Sequence, residues 1–128
     1  MENNKAREIK FRVWSSIHNE MFYDTDCFMV FHGGKLIERD GKGGCSPEID
    51  NIMQYTGLKD KNGKEIYEGD FLKQDYEIFY VVWVEKFASF GLTKNGWLHY
   101  HYFQEGIAPE ESEVIGNVMQ NPELLEAK

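Results

Sequence analysis

In the segment EIKFRVW, Ile9, Phe11 and Val13 alternate with Lys10 and Arg12, the period of two that marks a strand with one buried face. The polar connection SSIHNE and the run MFYDTD then predict a returning strand, so residues 8–24 form an N-terminal β-hairpin. Two short apolar runs follow around Gly33-Gly34, and after them DGKGG predicts a flexible loop near 40–46. SPEIDNIMQY carries two signals. Ser46 and Pro47 suit the first turn of a helix, whereas Tyr55 and Thr56 favour a strand. A short turn or helical start leading into a strand reconciles them.

Farther along, Asp60-Lys61-Asn62-Gly63 is a turn signal, because Asn and Gly tolerate positive φ, and its flanks QYTGL and KEIY can pair. The run IFYVVWV is apolar on both alternating sets, Ile78, Tyr80, Val82 and Val84 against Phe79, Val81 and Trp83. It predicts a strand covered on both faces, by the core or by a partner subunit. Asn95-Gly96 between strand-like runs predicts a two-residue hairpin loop that sets Lys94 opposite Trp97, Thr93 opposite Leu98 and Leu92 opposite His99. The tail holds a strand-like piece, Val114 to Met119. Asn121-Pro122-Glu123 then supplies an N-cap, a first-turn proline and a first-turn acid for a terminal helical turn carrying Leu124 and Leu125.

Composition narrows the class. A length of 128 residues predicts one domain over 1–128, and an aromatic share of 15% favours pleated, half-buried surfaces. The formal charge of −8 disfavours sequence-independent contact with phosphate backbones. Lys5, Arg7, Lys10 and Arg12 form the one basic bias, which equally suits the solvated side of the first strand. Cys27 and Cys45 show no paired-motif spacing, and the sequence shows no signal-peptide stretch and no apolar run long enough to span a bilayer. A reducing cytoplasm and free thiols are the expectation.

The stretch YTGLKDKNGKEIYEGD, ending at Asp70, resembles the hallmark segment of the YopX-like proteins, a family encoded mainly by bacteriophages and prophages. REIKFRVWSSIHNEMFY at 7–23 resembles the opening of that family and EVIGNVMQNPELLE at 113–126 its close. The resemblance implies a mainly β domain acting in the cytoplasm of a bacterial host, and it brings no catalytic residue with it. The Tyr-Glu-Gly-Asp step into FLKQ, followed by meandering strands, is similar at the level of fold to small SH3-like barrels.

Candidate chemistry is sparse. Gly57, Gly63 and Gly69 do not have the spacing of a phosphate cradle, and the following sequence does not fit one either. Asp60, Glu65, Glu68 and Asp70 are interleaved with Lys59, Lys61 and Lys64, which suits turn capping and ion pairing better than a calcium loop. His99 and His101 share a strand face, yet Cys27, Cys45, His18 and His32 are too scattered to predict a converging zinc site. No nucleophile elbow or cysteine motif is present.

The expectation is therefore a mainly β fold, specifically a small antiparallel barrel or sandwich with an SH3-like portion, an N-terminal hairpin and a short C-terminal helical turn. Its expected role is that of a phage or prophage accessory protein without cofactor or metal, which works by binding a phage or host protein or by forming a homo-oligomer. Phe79, Val81, Trp83, Phe87, Phe90, Trp97, Tyr100 and Tyr102 form the candidate contact surface. A nucleic-acid-associated module is the alternative and a metal-dependent enzyme a more remote one.

Overall fold

The computed structural model describes residues 8–16, 19–23, 28–32, 35–39, 45–46, 51–94, 97–100 and 109–126, with side chains described for 8–16, 19–23, 52–94 and 109–125. The backbone forms two compact units, Glu8–Gln54 and a second built from Tyr55–Lys128.

In the first unit, β1 (Phe11–Ser15) pairs antiparallel with β2 (Glu20–Tyr23), from Arg12 opposite Tyr23 to Ser15 opposite Glu20. This is the predicted hairpin, and Asn19 takes the left-handed conformation its turn requires, with φ 53°. The other edge of β1 pairs with Asn51–Gln54, so β1 is flanked on both sides. Its burial departs from the alternating pattern. Arg12, Val13, Trp14 and Ser15 are all buried, and Ile9, expected on the inner face, is exposed. β3 (Phe28–His32) and β4 (Lys35–Arg39) pair through His32 opposite Lys35, which places the Gly33-Gly34 step at their connection. Cys45 and Ser46, assigned to the flexible loop by the sequence, form β5 (Cys45–Ser46) against Arg39 and Glu38. Residues 40–44 and 47–50 lie outside the described residues.

β6 (Asn51–Lys59) continues into the second unit, where it pairs with β7 (Glu65–Tyr67) across the predicted Asp60–Gly63 turn. The register slips between Tyr55 opposite Tyr67 and Lys59 opposite Glu65. The Thr56 hydroxyl stabilises this irregularity by donating to the Ile66 carbonyl at 2.8 Å and accepting from the Leu58 N–H at 3.2 Å. Beyond it lies a five-stranded antiparallel sheet in the order β11-β10-β9-β8-β12. Its strands are β8 (Asp70–Gln74), β9 (Glu77–Val84), β10 (Ser89–Lys94), β11 (Trp97–Tyr100) and β12 (Glu113–Asn117). The mainly β, antiparallel class is as predicted, and the strand pattern fits a small barrel or sandwich.

Ile66, Leu72, Phe79, Val81 and Leu92 form the core of this unit, with Leu58, Phe90 and Val114 packed against them. Within the chain, the core covers only part of β9. Phe79 and Val81 are buried, Ile78, Tyr80, Val82 and Val84 are half-buried, and Trp83 is exposed. The β10–β11 hairpin has Lys94 opposite Trp97 and Thr93 opposite Leu98 as predicted, but Leu92 faces Tyr100 rather than His99. One extra residue on β11 bulges the ladder there, a shift that turn chemistry cannot foretell.

At the C-terminus, Pro122–Glu126 form the expected helical turn, in 3-10 geometry. The Asn121 side chain does not cap it. Its Oδ1 accepts the Asn117 N–H at 3.2 Å, and the Asn121 carbonyl accepts the Leu124 N–H at 3.0 Å.

Candidate interaction site

The charged hallmark segment is built for shape. Asp60 is 5% exposed, and its Oδ1 accepts the N–H groups of Asn62 at 2.8 Å and Lys64 at 2.9 Å. Its Oδ2 accepts the Val114 N–H at 2.9 Å. Two further backbone bonds close the turn, from the Asp60 N–H to the Lys64 carbonyl and from the Gly63 N–H to the Asp60 carbonyl. Gly63 sits at φ 78°, where a side chain would strain the backbone. Alongside, the Lys61 N–H donates to the Ser112 carbonyl at 2.9 Å, so the turn is tied both to β12 and to the residue just before it.

Burial works to raise the Asp60 pKa, and the N–H groups of Val114, Lys64 and Asn62, with the Lys64 ammonium, more than offset it. The carboxyl therefore stays below its ordinary value of 3.8 and remains an anion at neutral pH. A carboxylate held by three backbone donors is a poor proton shuttle. The other buried acid of the segment, Asp70, is 1% exposed, and its Oδ2 accepts the Tyr67 N–H across the β7–β8 turn at 2.8 Å. Between them, the Gly69 N–H donates to the Val81 carbonyl and the Gly69 carbonyl accepts the Val118 N–H. Thr56, Asp60, Gly63 and Asp70 thus all act on backbone geometry, as turn capping predicts.

The closing motif works the same way. The Asn117 Oδ1 accepts the N–H groups of Met119 at 3.1 Å and Gln120 at 2.9 Å, and its amide donates to the Gln120 Oε1. Gly116 leaves room for this loop, because a Cβ there would lie 2.5 Å from the Asn121 Oδ1.

A different kind of surface appears where β9 turns into β10. Trp83 is 46% exposed and meets Phe90, directly opposite on β10, edge to face with ring centroids 5.0 Å apart. The 3-10 turn Glu85–Phe87 and the left-handed Ala88 (φ 49°) connect the strands, and the Lys86 ammonium lies 5.8 Å from the centroid of the half-buried Phe87 ring. The arrangement offers an aromatic edge on paired strands and one cation in the turn between them, able to bury an apolar side chain or pair an acidic one.

Of the eight candidate contact residues, the structure brings Trp83, Phe87 and Phe90 together near this corner. Phe79 and Val81 are 4% and 0% exposed and belong to the core, because the strand turns that face inward. The side chains of Trp97 and Tyr100, and all of Tyr102, lie outside the described residues. Lys86 was not singled out in the sequence, where a single lysine beside a phenylalanine gives no signal. The basic bias also changes character. Arg12 is 3% exposed, and Lys10 forms an ion pair with Glu8 at 3.1 Å, while Lys5 and Arg7 lie outside the described residues.

Among the described residues, no group of three or more His, Cys, Asp or Glu is placed to hold a metal ion. The metal candidates His18, His101 and Cys27, and the side chains of His32, Cys45 and His99, lie outside those described. Among the described residues, no helix is long and apolar enough to cross a membrane.

Comparison with known proteins agrees with this architecture. Protein EF1440 from Enterococcus faecalis, known from its crystal structure, superposes with a TM-score of 0.62 at 28% sequence identity, over 94% of this chain and 100% of that one. No curated protein matches the sequence. The family model described as YopX protein matches residues 10–126. Those residues include the Asp60 turn, the aromatic corner and the Asn117 loop, and the chain belongs to the YopX family.

Proposed function

We propose that this protein is an accessory factor of phage or prophage origin that acts in the bacterial cytoplasm by binding a protein partner or a second copy of itself, without catalysis. The observation that carries this reading is the exposed Trp83, held edge to face on Phe90 between two paired strands. A large ring already fixed in place loses little conformational entropy on binding, and such rings dominate the energetics of protein contacts. The phage origin rests on membership of the family. Protein is favoured over nucleic acid as the partner by the charge of −8 and by the burial of Arg12.

Light scattering on the purified protein and capture of partners from induced lysogens test the reading together, each with wild type and Trp83→Ala. A self-associated or captured species that the wild type forms and a folded Trp83→Ala variant loses is the expected result. A Trp83→Ala variant that keeps every contact of the wild type overturns it.

A further inference from the structure

The turn that gives the hallmark segment its shape also contains the dipeptide in which asparagine is chemically least durable. Asn62 and Gly63 are both exposed, so water reaches them, and Gly63 offers no side chain to hinder its own nitrogen. From the geometry we propose that Asn62 is a site of spontaneous deamidation held in check by the Asp60 clamp.

The reaction needs only water as co-reactant. The Gly63 backbone nitrogen gives up its proton and attacks Cγ, the amide carbon of the Asn62 side group. The new bond from nitrogen to Cγ closes a five-membered succinimide as the bond from Cγ to Nδ2 breaks and ammonia leaves. Water then opens the ring at either carbonyl, leaving aspartate or isoaspartate. In the folded turn the attacking nitrogen is engaged, since the Gly63 N–H donates to the Asp60 carbonyl at 3.0 Å. The Asn62 backbone is held too, its N–H donating to the Asp60 Oδ1 at 2.8 Å, while the Lys64 N–H donates to the same oxygen at 2.9 Å. Ring closure requires the Asn62–Gly63 backbone to swing out of this network, so the reaction proceeds through local opening of the turn.

Neither product restores the original turn. Isoaspartate adds a methylene to the backbone path between Asp60 and Lys64, and either product places a second carboxylate beside the Asp60 anion. Both changes weaken the hold of Asp60 on Val114, 54 residues away. Asn62 would thus act as a one-way timer on the link between this turn and β12. The proposal is independent of the binding role of Trp83.

The test follows conversion at residue 62 by peptide mapping and isoaspartate methyl-labelling of the full-length protein at mildly alkaline pH, folded and in urea. Peptide mapping separates it from the second Asn-Gly pair, Asn95-Gly96. Conversion slower in the folded protein by at least about tenfold, restored towards the unfolded rate by Asp60→Ala, is the expected result. Equal rates folded and unfolded, or a folded Asp60→Ala variant that converts no faster than wild type, overturn the proposal. If Asp60→Ala does not fold, wild type in sub-denaturing urea replaces it. Conversion should then rise in step with hydrogen exchange at the Gly63 amide, and conversion that stays flat while exchange rises refutes gating by the turn.

Discussion

The Asp60 carboxylate accepts the backbone N–H of Val114 at 2.9 Å across 54 residues of sequence. The same side chain holds Asn62 and Lys64 within its own turn, so one residue closes a hairpin and fastens β12 to it.

Asp60→Ala leaves three backbone donors without their acceptor, one of them on the strand β12. The expected cost is roughly 2–4 kcal/mol of folding stability, since each stranded donor loses a charge-assisted bond, and the Val114 N–H is less free than those of the exposed Asn62 and Lys64 to turn to water. Urea unfolding of the full-length protein measures it as a lowered midpoint.

The pH dependence of that cost has a defined sign. The folded pKa of Asp60 lies below its ordinary value of 3.8, so its contribution is complete above that value and is lost as pH falls through the folded pKa. The gap in urea midpoint between wild type and Asp60→Ala should be constant from neutral pH down to about pH 5 and close under more acid conditions. A gap that widens on acidification contradicts the assignment.

Gly116→Ala would press a methyl group to 2.5 Å from the Asn121 Oδ1 and 2.9 Å from its Cγ. Asn121 cannot yield freely because that oxygen accepts the Asn117 N–H. A loss of about 1–3 kcal/mol is expected, the scale of overpacking elsewhere. In a double-mutant cycle with Asn121→Ala, the double variant should lose less stability than the sum of the two single losses.

Gly63 presents the opposite case, with nothing within 4 Å of a built Cβ but a φ of 78°. Gly63→Ala should cost about 1 kcal/mol through backbone strain alone, and Gly63→Asn less, because Asn tolerates the left-handed region. Equal losses for the two substitutions would point to a steric origin instead. Thermal melts distinguish them.

Val81 and Trp83 stand two residues apart on β9 with opposite environments, 0% and 46% exposed. Val81→Ala should remove about 2 kcal/mol by leaving a void in the core. Trp83→Ala should cost less than about 1.5 kcal/mol of stability, mainly its contact with Phe90, and abolish the contact with a partner proposed for this ring. Denaturation alongside a binding assay separates the two effects.

Much of this arrangement is written in short-range pattern. The period of two located β1, a run of turn formers implied its return as β2, a continuous apolar run located β9, the Asn62-Gly63 and Asn95-Gly96 pairs located two hairpin connections, and Asn121-Pro122-Glu123 located the final turn. The first two pairs of the β10–β11 register followed from the loop length. These features depend on residues only a few positions apart, which a single sequence displays. The candidate contact surface was only half visible, since apolar character on β9 does not say which end of the strand the core covers.

Local pattern was enough to say where strands run, where they turn and which family the protein belongs to. It took the folded arrangement to bury Arg12 while exposing Ile9, to bulge His99 from its ladder, to turn Asn121 towards Asn117 rather than its own helical turn, and to bring Asp60 to Val114. The reason is physical. Turn and strand preferences are local energies of φ, ψ and side-chain period, whereas burial and long-range hydrogen bonds depend on which distant segment arrives alongside, and no local pattern carries that information.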